Sequence, residues 1–317
     1  MTAELITRAR AGDGAAFRAL VEPHRRELLV HCYRMLGSYH DAEDALQDAL
    51  LDAWRGFGGY AQRASLRTWL YRVVTNRCLN ARRAAGRRPA RWETPWDRAP
   101  EPTGLGEVVW LEPLPEGPEG HYERAESISL AFVTALQTLP PRQVAVLILR
   151  DVLDFPAADV AGMLDCTVES VTSALKRARA TLRRRPGTEP PPPPAAGSPA
   201  EATVVAEFVR AYEKSDIAAL VALLTDDVFV SMPPMPYEYR GRDVVAALYA
   251  DIFATGPRHL VPARANGQPA FGVYSLTPAG VRHGTGLLVI ALAGDRISAM
   301  TRFDSGLLPA FGLPRSL

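Results

Sequence analysis

Residues 139–182 read LPPRQVAVLILRDVLDFPAADVAGMLDCTVESVTSALKRARATL, and this stretch decides the fold of the chain's middle. The pattern predicts a helix ending at Asp151 or Val152. Asp154-Phe155-Pro156 then breaks the chain, because proline cannot continue a helix and restricts the residue before it. Val160, Ala161 and Leu164 recur at helical spacing in a second, short helix. Val168, Val171, Ala174, Leu175 and Ala178 do the same in a third. Asp165-Cys166-Thr167 is the turn between them, with Thr167 placed to cap the last helix. Two short helices around a tight turn, the second one basic, outline a helix-turn-helix DNA reader. In that reading the third helix enters the major groove by its N-terminus, with Ser170 and Ser173 near base edges. Thr167 and Thr172 belong to the same face, and Lys176, Arg177 and Arg179 sit nearer phosphates. A plain helical hairpin with a solvated basic end is the competing reading.

Working outward, 317 residues suit two or three domains. Net charge is only +1, so the whole chain is not a general nucleic-acid binder. The charge is uneven, however: Ala64 to Arg88 holds seven Arg and no acid, whereas acids dominate from Glu93 to Glu126. Cys32, Cys78 and Cys166 are far apart and form no CxxC, which reads as three unpaired thiols in a reducing cytoplasm. No zinc site, other metal site or cofactor is expected. The N-terminus carries no apolar signal core, and no apolar run is long enough to span a bilayer. The expectation is a cytoplasmic protein with no membrane contact.

Residues 1–88 read as helical. In DAEDALQDALLDAWRGF, residues 41–57, Asp41, Asp44, Asp48 and Asp52 share one helix face, and Ala42, Ala45, Leu46, Ala49, Leu50, Ala53 and Trp54 cover the other. A solvated acidic face is the simplest account of these aspartates taken alone. After the Gly-rich break FGGYAQR comes SLRTWLYRVVTNRCLNARR, from Ser65. It is an acid-free helix that offers Arg67, Arg72, Asn76, Asn80, Arg82 and Arg83 to phosphate. Tyr60, in the preceding loop, is an aromatic available for base stacking. Trp69 reads as core.

Residues 89–121 are an acidic Pro/Gly-rich linker, expected to hold no regular structure. Residues 122–185 contain the helix-turn-helix. Residues 186–199 carry seven prolines, five of them consecutive, and form a polyproline spacer of about 40 Å. Residues 200–317 change character: helices first, then strand candidates at Leu260–Ala265, Gln268–Tyr274, Thr285–Ala293 and Arg296–Phe303. Val228-Phe229-Val230 reads as strand-like and MPPMPYEYRG as a connection. This order suggests an α+β cone, a curved sheet wrapped on helices. Cones open into pockets, and Tyr212, Asp227, Tyr249, Arg264 and His283 are the candidate polar lining. Asp227 and His283 are the residues an acid/base enzyme would need, although their spacing does not make them converge.

Three blocks carry a family resemblance. Asp-Ala-Glu-Asp-x-x-Gln-Asp from Asp41, Leu-x-Thr-Trp-Leu-Tyr-x-Val-x-x-Asn-x-Cys-Leu-Asn-x-x-Arg from Leu66, and the Leu139 stretch with its Val-x-Ser-x-Leu-x-Arg-Ala-Arg-like ending resemble σ70-type sigma factors of the extracytoplasmic-function (ECF) class. The recognition helix departs from the usual pattern at Glu169-Ser170-Val171-Thr172-Ser173-Ala174. The resemblance implies two all-α sigma domains. The first docks on the β′ clamp of bacterial core RNA polymerase through Asp41, Asp44, Gln47, Asp48 and Asp52, and opens the −10 element. The second meets the β flap and reads the −35 element of promoter DNA. It also implies that the acidic linker threads the polymerase's RNA path. Residues 200–317 resemble the SnoaL-like fold, on Asp226-Asp227-Val228, Met232-Pro233-Pro234-Met235-Pro236 and Tyr239-x-Gly241. Trp110-Leu111-Glu112-Pro113 and the closing Phe311-Gly312-Leu313-Pro314 resemble the sigma subset that carries such a domain. The expected role of the cone is regulation in cis, with a small apolar molecule as candidate ligand, and with Leu307, Leu308, Phe311 and Leu313 sealing it against the helical domains. The alternative is a helix-turn-helix regulator with a ligand-sensing or enzymatic C-terminal domain.

Overall fold

The computed structural model describes residues 2–85, 101–105, 111–116, 128–183 and 191–317. They belong to two compact units, Met1–Arg88 with Leu130–Pro186, and Pro89–Ser129 with Gly187–Leu317.

The first unit is all helical. Helices α1 (Thr2–Arg10) and α2 (Gly14–Val21) are joined at Asp13, whose carboxylate accepts from the Ala15 and Ala16 amides and caps α2. Helix α3 (Arg25–Leu36) ends at Gly37 in the left-handed conformation, φ +79°. Ser38 caps α4 (Tyr39–Gly56), and Ser65 accepts from the Thr68 amide at the start of α5 (Leu66–Ala85). The core joins Leu28, Cys32 and Tyr33 of α3 to Ala42, Leu46 and Ala49 of α4 and to Leu70, Tyr71 and Val74 of α5. The three cysteines are unpaired.

Then come α6 (Leu130–Gln137), α7 (Pro141–Leu147), which runs on as a wide turn through Val152, α8 (Ala157–Leu164) and α9 (Val168–Arg183). Asp154 (φ +56°) breaks the chain where the sequence predicts it, and Asp165 closes α8 in the left-handed region. The sequence reading separates these helices from α1–α5. In the structure they pack on them. A Cβ at Gly37 would lie 2.9 Å from the Gln137 amide of α6, so this glycine serves both its turn and the contact.

The second unit is a seven-stranded sheet in the order β1-β3-β2-β7-β6-β5-β4. Its strands are β1 (Gly104–Leu105), β2 (Leu224–Met232), β3 (Met235–Arg240), β4 (Arg258–Ala265), β5 (Gln268–Leu276), β6 (Arg282–Ala293) and β7 (Arg296–Phe303). Strands β4 to β7 form the expected antiparallel meander, and β2 joins β7 in parallel. Helices α10 (Pro199–Glu213), α11 (Ile217–Ala222) and α12 (Arg242–Ala254) share one apolar core with the sheet. Two differences from the sequence reading stand out. The proline-rich stretch before Gly241 contains a strand, β3, turned back on β2 at Pro233-Pro234. The linker, expected to lack regular structure, supplies β1.

Candidate functional site

On α9 the residues assigned to DNA share the outer side. Thr167, Ser170, Thr172, Ser173, Lys176, Arg177 and Arg179 are exposed, while Val171, Ala174 and Ala178 are buried against the unit. Thr167 Oγ1 accepts from the Ser170 amide at 3.3 Å, so the cap falls where the sequence places it. Lys176 and Arg177 make no ion pair among the described residues. Arg179 differs, because its guanidinium forms a two-pronged pair with Asp151 at 2.6 and 2.8 Å. That pair raises the Arg179 pKa and holds the side chain back along the helix. Arg179 is therefore a brace between α7's extension and α9.

On α4, Asp44, Gln47 and Asp52 are exposed and Asp41 is half-buried at the capped end. Asp48 pairs with Arg77 of α5, and Asp52 lies 3.7 Å from Arg55. The acidic row thus presents its middle and end to solvent.

Helix α5 departs most from expectation. Arg72 is exposed, and Asn80 and Arg83 are exposed and bonded to each other at 3.1 Å. The remaining three candidates are held by other helices. Arg67 pairs with Glu27 at 2.9 Å and stacks on Tyr71 and on Phe155, each 4.9 Å from its carbon. Asn76 donates to the Met163 carbonyl of α8 at 3.4 Å. Arg82 donates to the carbonyls of Met35 and Leu139, and burial lowers its pKa. Tyr60 is also not the available aromatic that the sequence suggests. It is 5% exposed, its hydroxyl donates to the Ala64 carbonyl, and its ring sits between Phe57 and Trp69. Phe155, which no motif singled out, closes over Tyr71 at 5.1 Å.

In the second unit the five pocket candidates do not converge. Tyr212 and Tyr249 are inside, 5.8 Å apart ring to ring. Asp227 is exposed on β2. His283 is exposed and bonds Ser316 at 2.6 Å, anchoring the tail rather than lining the cone. Arg264 binds Glu201 at 2.9 Å and Glu116 at 3.2 Å. The tail itself, from Ser305 to Phe311 and onward, packs on its own sheet. Leu308 fills the place a Cβ on Gly284 would take, 2.3 Å away, and Leu313 lies 2.9 Å from that of Gly272. Leu307, Leu308 and Leu313 are thus buried on the cone's own sheet, and Phe311 is half-buried.

The linker is gripped at two places. Thr103 and Gly104-Leu105 extend the sheet beyond β3, with the Thr103 amide on the Glu238 carbonyl at 2.9 Å. Leu111 and Leu114 are buried. Asn266, in the turn between β4 and β5 at φ +57°, accepts from the Leu114 amide at 2.8 Å. It also donates to the Ile128 carbonyl, and its own amide donates to the Leu114 carbonyl at 3.0 Å. Each such buried group left unbonded would cost about 1–3 kcal/mol, so this one side chain fixes the linker's register. The linker acids Glu107 and Glu119 and the aromatic Trp110 lie outside the described residues. Glu116 is inside and faces Arg264. Among the described residues no cluster of His, Cys, Asp and Glu is arranged to hold a metal, and no helix is long and apolar enough to cross a membrane.

A helix-turn-helix and an acidic-faced helical module on one unit, followed by a separate cone, define a transcription factor with an appended cone domain. Residues 20–88 match the family described as Sigma-70 region 2, residues 129–182 Sigma-70, region 4, and residues 205–300 the SnoaL-like domain. The chain is 41% identical to the ECF RNA polymerase sigma factor SigG of Mycobacterium tuberculosis, over 97% of this chain and 86% of that one. It is 34% identical to the sigma factor SigM of the same species over 57% of this chain and 83% of SigM. Among solved structures it resembles the M. tuberculosis extracytoplasmic function sigma factor SigJ, with TM-score 0.64 and 22% identity, covering 90% of this chain and 95% of SigJ. The chain belongs to the ECF RNA polymerase sigma factors and carries a SnoaL-like domain.

Proposed function

We propose that this sigma factor acts in the cytoplasm, delivers core RNA polymerase to promoters, and is regulated in cis by its cone. The exposed acids of α4, Asp44 and Asp52 with Gln47, meet the β′ clamp, and the α6–α9 segment meets the β flap. Helix α9 reads the −35 element and α5 works at the −10 element. One observation carries the promoter assignment: the full polar row of α9 is exposed, and Lys176 and Arg177 are uncommitted among the described residues.

The packed form of α1–α9 is a resting form. Phe155, Met163 and Leu139 engage Arg67, Asn76 and Arg82, so full use of α5 on DNA requires α7–α8 to move away. The cone acts on this step through the linker that it grips. It binds rather than catalyses, since Asp227 and His283, its acid/base candidates, lie on the outside.

The test is in vitro transcription with bacterial core polymerase and a promoter library, comparing the full chain with a truncation ending at Arg185. Transcripts from either chain are expected, with the amount changed by truncation. More product from the truncation makes the cone a brake, and less makes it a required part. No transcripts and no core binding from either would overturn the proposal.

A further inference from the structure

Helix α9 turns one carboxylate toward the side that the promoter reading gives to DNA. At about 100° per residue, Glu169, Ser173, Lys176 and Ala180 form the row opposite the buried Val171, Ala174 and Ala178, and all four are exposed. The outermost group of the first turn is therefore an acid, in a row whose other members are neutral or basic. Phosphates repel such a charge, so on duplex DNA it weakens binding unless a hydrogen-bond donor meets it. The helix supplies no cation for it. The residues three and four positions away in either direction are Asp165, Cys166, Thr172 and Ser173, none of them basic. Glu169 makes no ion pair among the described residues.

The Glu169 amide and the Thr167 hydroxyl donate to this carboxylate and lower its pKa, so at neutral pH it is an acceptor only. On the flank of the same turn, Val168 is 41% exposed. Thr172, four residues on, donates its hydroxyl to the Val168 carbonyl at 3.0 Å, which leaves its methyl as the group beside Val168. The start of α9 thus offers one carboxylate and, next to it, two methyl-bearing side chains. The base edges of the major groove answer these groups differently. Guanine shows two acceptors, and thymine shows an acceptor with a methyl. Adenine sets its amino donor beside an acceptor that repels a carboxylate oxygen. Cytosine shows a donor alone.

We propose that Glu169 is a specificity-determining residue of this sigma factor: its carboxylate accepts from the N4 amino group of a cytosine in the −35 element, and Val168 with the Thr172 methyl lies against the C5-methyl of an adjacent thymine. The assignment rests on the reading of α9 as the −35 reader. A first-turn acid also stabilises its own helix through the helix dipole, a role that is blind to DNA sequence. The two roles part at the isosteric Glu169→Gln. The dipole role costs a little stability and leaves promoter choice as it was. Base readout gives a new choice, because a glutamine amide pairs with N6 and N7 of adenine.

The experiment is in vitro transcription by the full chain with bacterial core polymerase, from a promoter library randomised through the −35 element, each promoter marked by a transcribed barcode. The native chain is expected to favour C·G at one position by about fivefold or more. Glu169→Gln should move that position to A·T. Glu169→Ala should flatten it to within about twofold and raise output from promoters that lack the cytosine, since the carboxylate no longer faces phosphates there. Val168→Ala/Thr172→Ser should lower the thymine preference at the neighbouring position by about twofold or more. The proposal is overturned if no −35 position favours cytosine, if either Glu169 variant keeps the native preference, or if Glu169→Ala weakens every promoter alike. An unchanged neighbouring position in the Val168/Thr172 variant overturns the thymine contact. Each of these results leaves the sigma reading standing, whereas an absence of transcripts from every promoter would bring down both.

Discussion

Helices α5 and α9 have similar sequences on the face that matters: basic, acid-poor, with hydroxyls or amides between the arginines. Their situations in the folded unit are opposite. The polar row of α9 faces outward and stays open except at Arg179, whereas α5 gives Arg67, Asn76 and Arg82 to its neighbours. A basic helix face is therefore not a DNA-binding surface by composition alone. Whether it can meet DNA depends on what else in the chain offers it carbonyls, carboxylates and aromatic rings. In α9 the opposing element offers one carboxylate, Asp151. In α5 it offers Glu27, Phe155 and three carbonyls.

The largest way to break this contrast is Phe155→Ala. Phe155 is 5% exposed against Tyr71, and truncating such a ring costs about 3–5 kcal/mol. Urea unfolding should show that loss, and binding of α5 to single-stranded promoter DNA should rise. Loss of stability with no gain in DNA binding would mean that the packed form does not restrain α5.

Acid offers a second lever on the α5 side alone. His31 is fully buried, bonded to Thr75 of α5 at 2.8 Å, and burial, with the Arg34 and Arg67 charges, lowers its pKa to about 3. A group depressed on folding takes up its proton in the unfolded chain first. The stability it contributes is therefore present above the unfolded value near 6.5 and declines as pH falls toward 3. The wild-type chain should lose about 2 kcal/mol from this group at pH 5, and His31→Gln should lose correspondingly less, by urea unfolding at both pH values.

The smallest and sharpest comparison lies within α9. Arg177→Ala should cost about 1–3 kcal/mol at one promoter position if it reads a guanine, and about equally at all promoters if it meets phosphate. Arg179→Ala should change affinity by less than about 1 kcal/mol and leave the salt slope nearly untouched, because its exposed pair with Asp151 already occupies it. If Arg179→Ala proves the costlier of the two, the bracing role is wrong.

Much of this architecture was legible because the residues that encode it act locally. The spacing of Val168, Val171, Ala174 and Ala178, the Thr167 cap and the break at Asp154-Phe155-Pro156 each concern one turn of chain. Strand β3 was hidden because Pro233, Pro234 and Pro236 argue against a strand, and here they sit at its turn and start. The Asn266-Gly267 pair is a hairpin signal in its own right, but nothing near it announces that Asn266 grips Leu114 across 152 positions. Tyr60 and Phe155 failed for a related reason: Trp69, which covers Tyr60, and Tyr71, which meets Phe155, both come from α5, and periodicity reports only a residue's own segment.

One detail of the cone has a mechanical side. Thr103 to Leu105 and Leu111 to Glu116 are stitched to opposite margins of the same sheet, and the Ile128 carbonyl is tied to Asn266. A cord pinned along its length cannot pay out its full contour. On the regulatory reading proposed above, the stride open to α5 and α9 while these stitches hold is metered by the cone rather than by the number of residues between them, and release of any one stitch lengthens it by a discrete step.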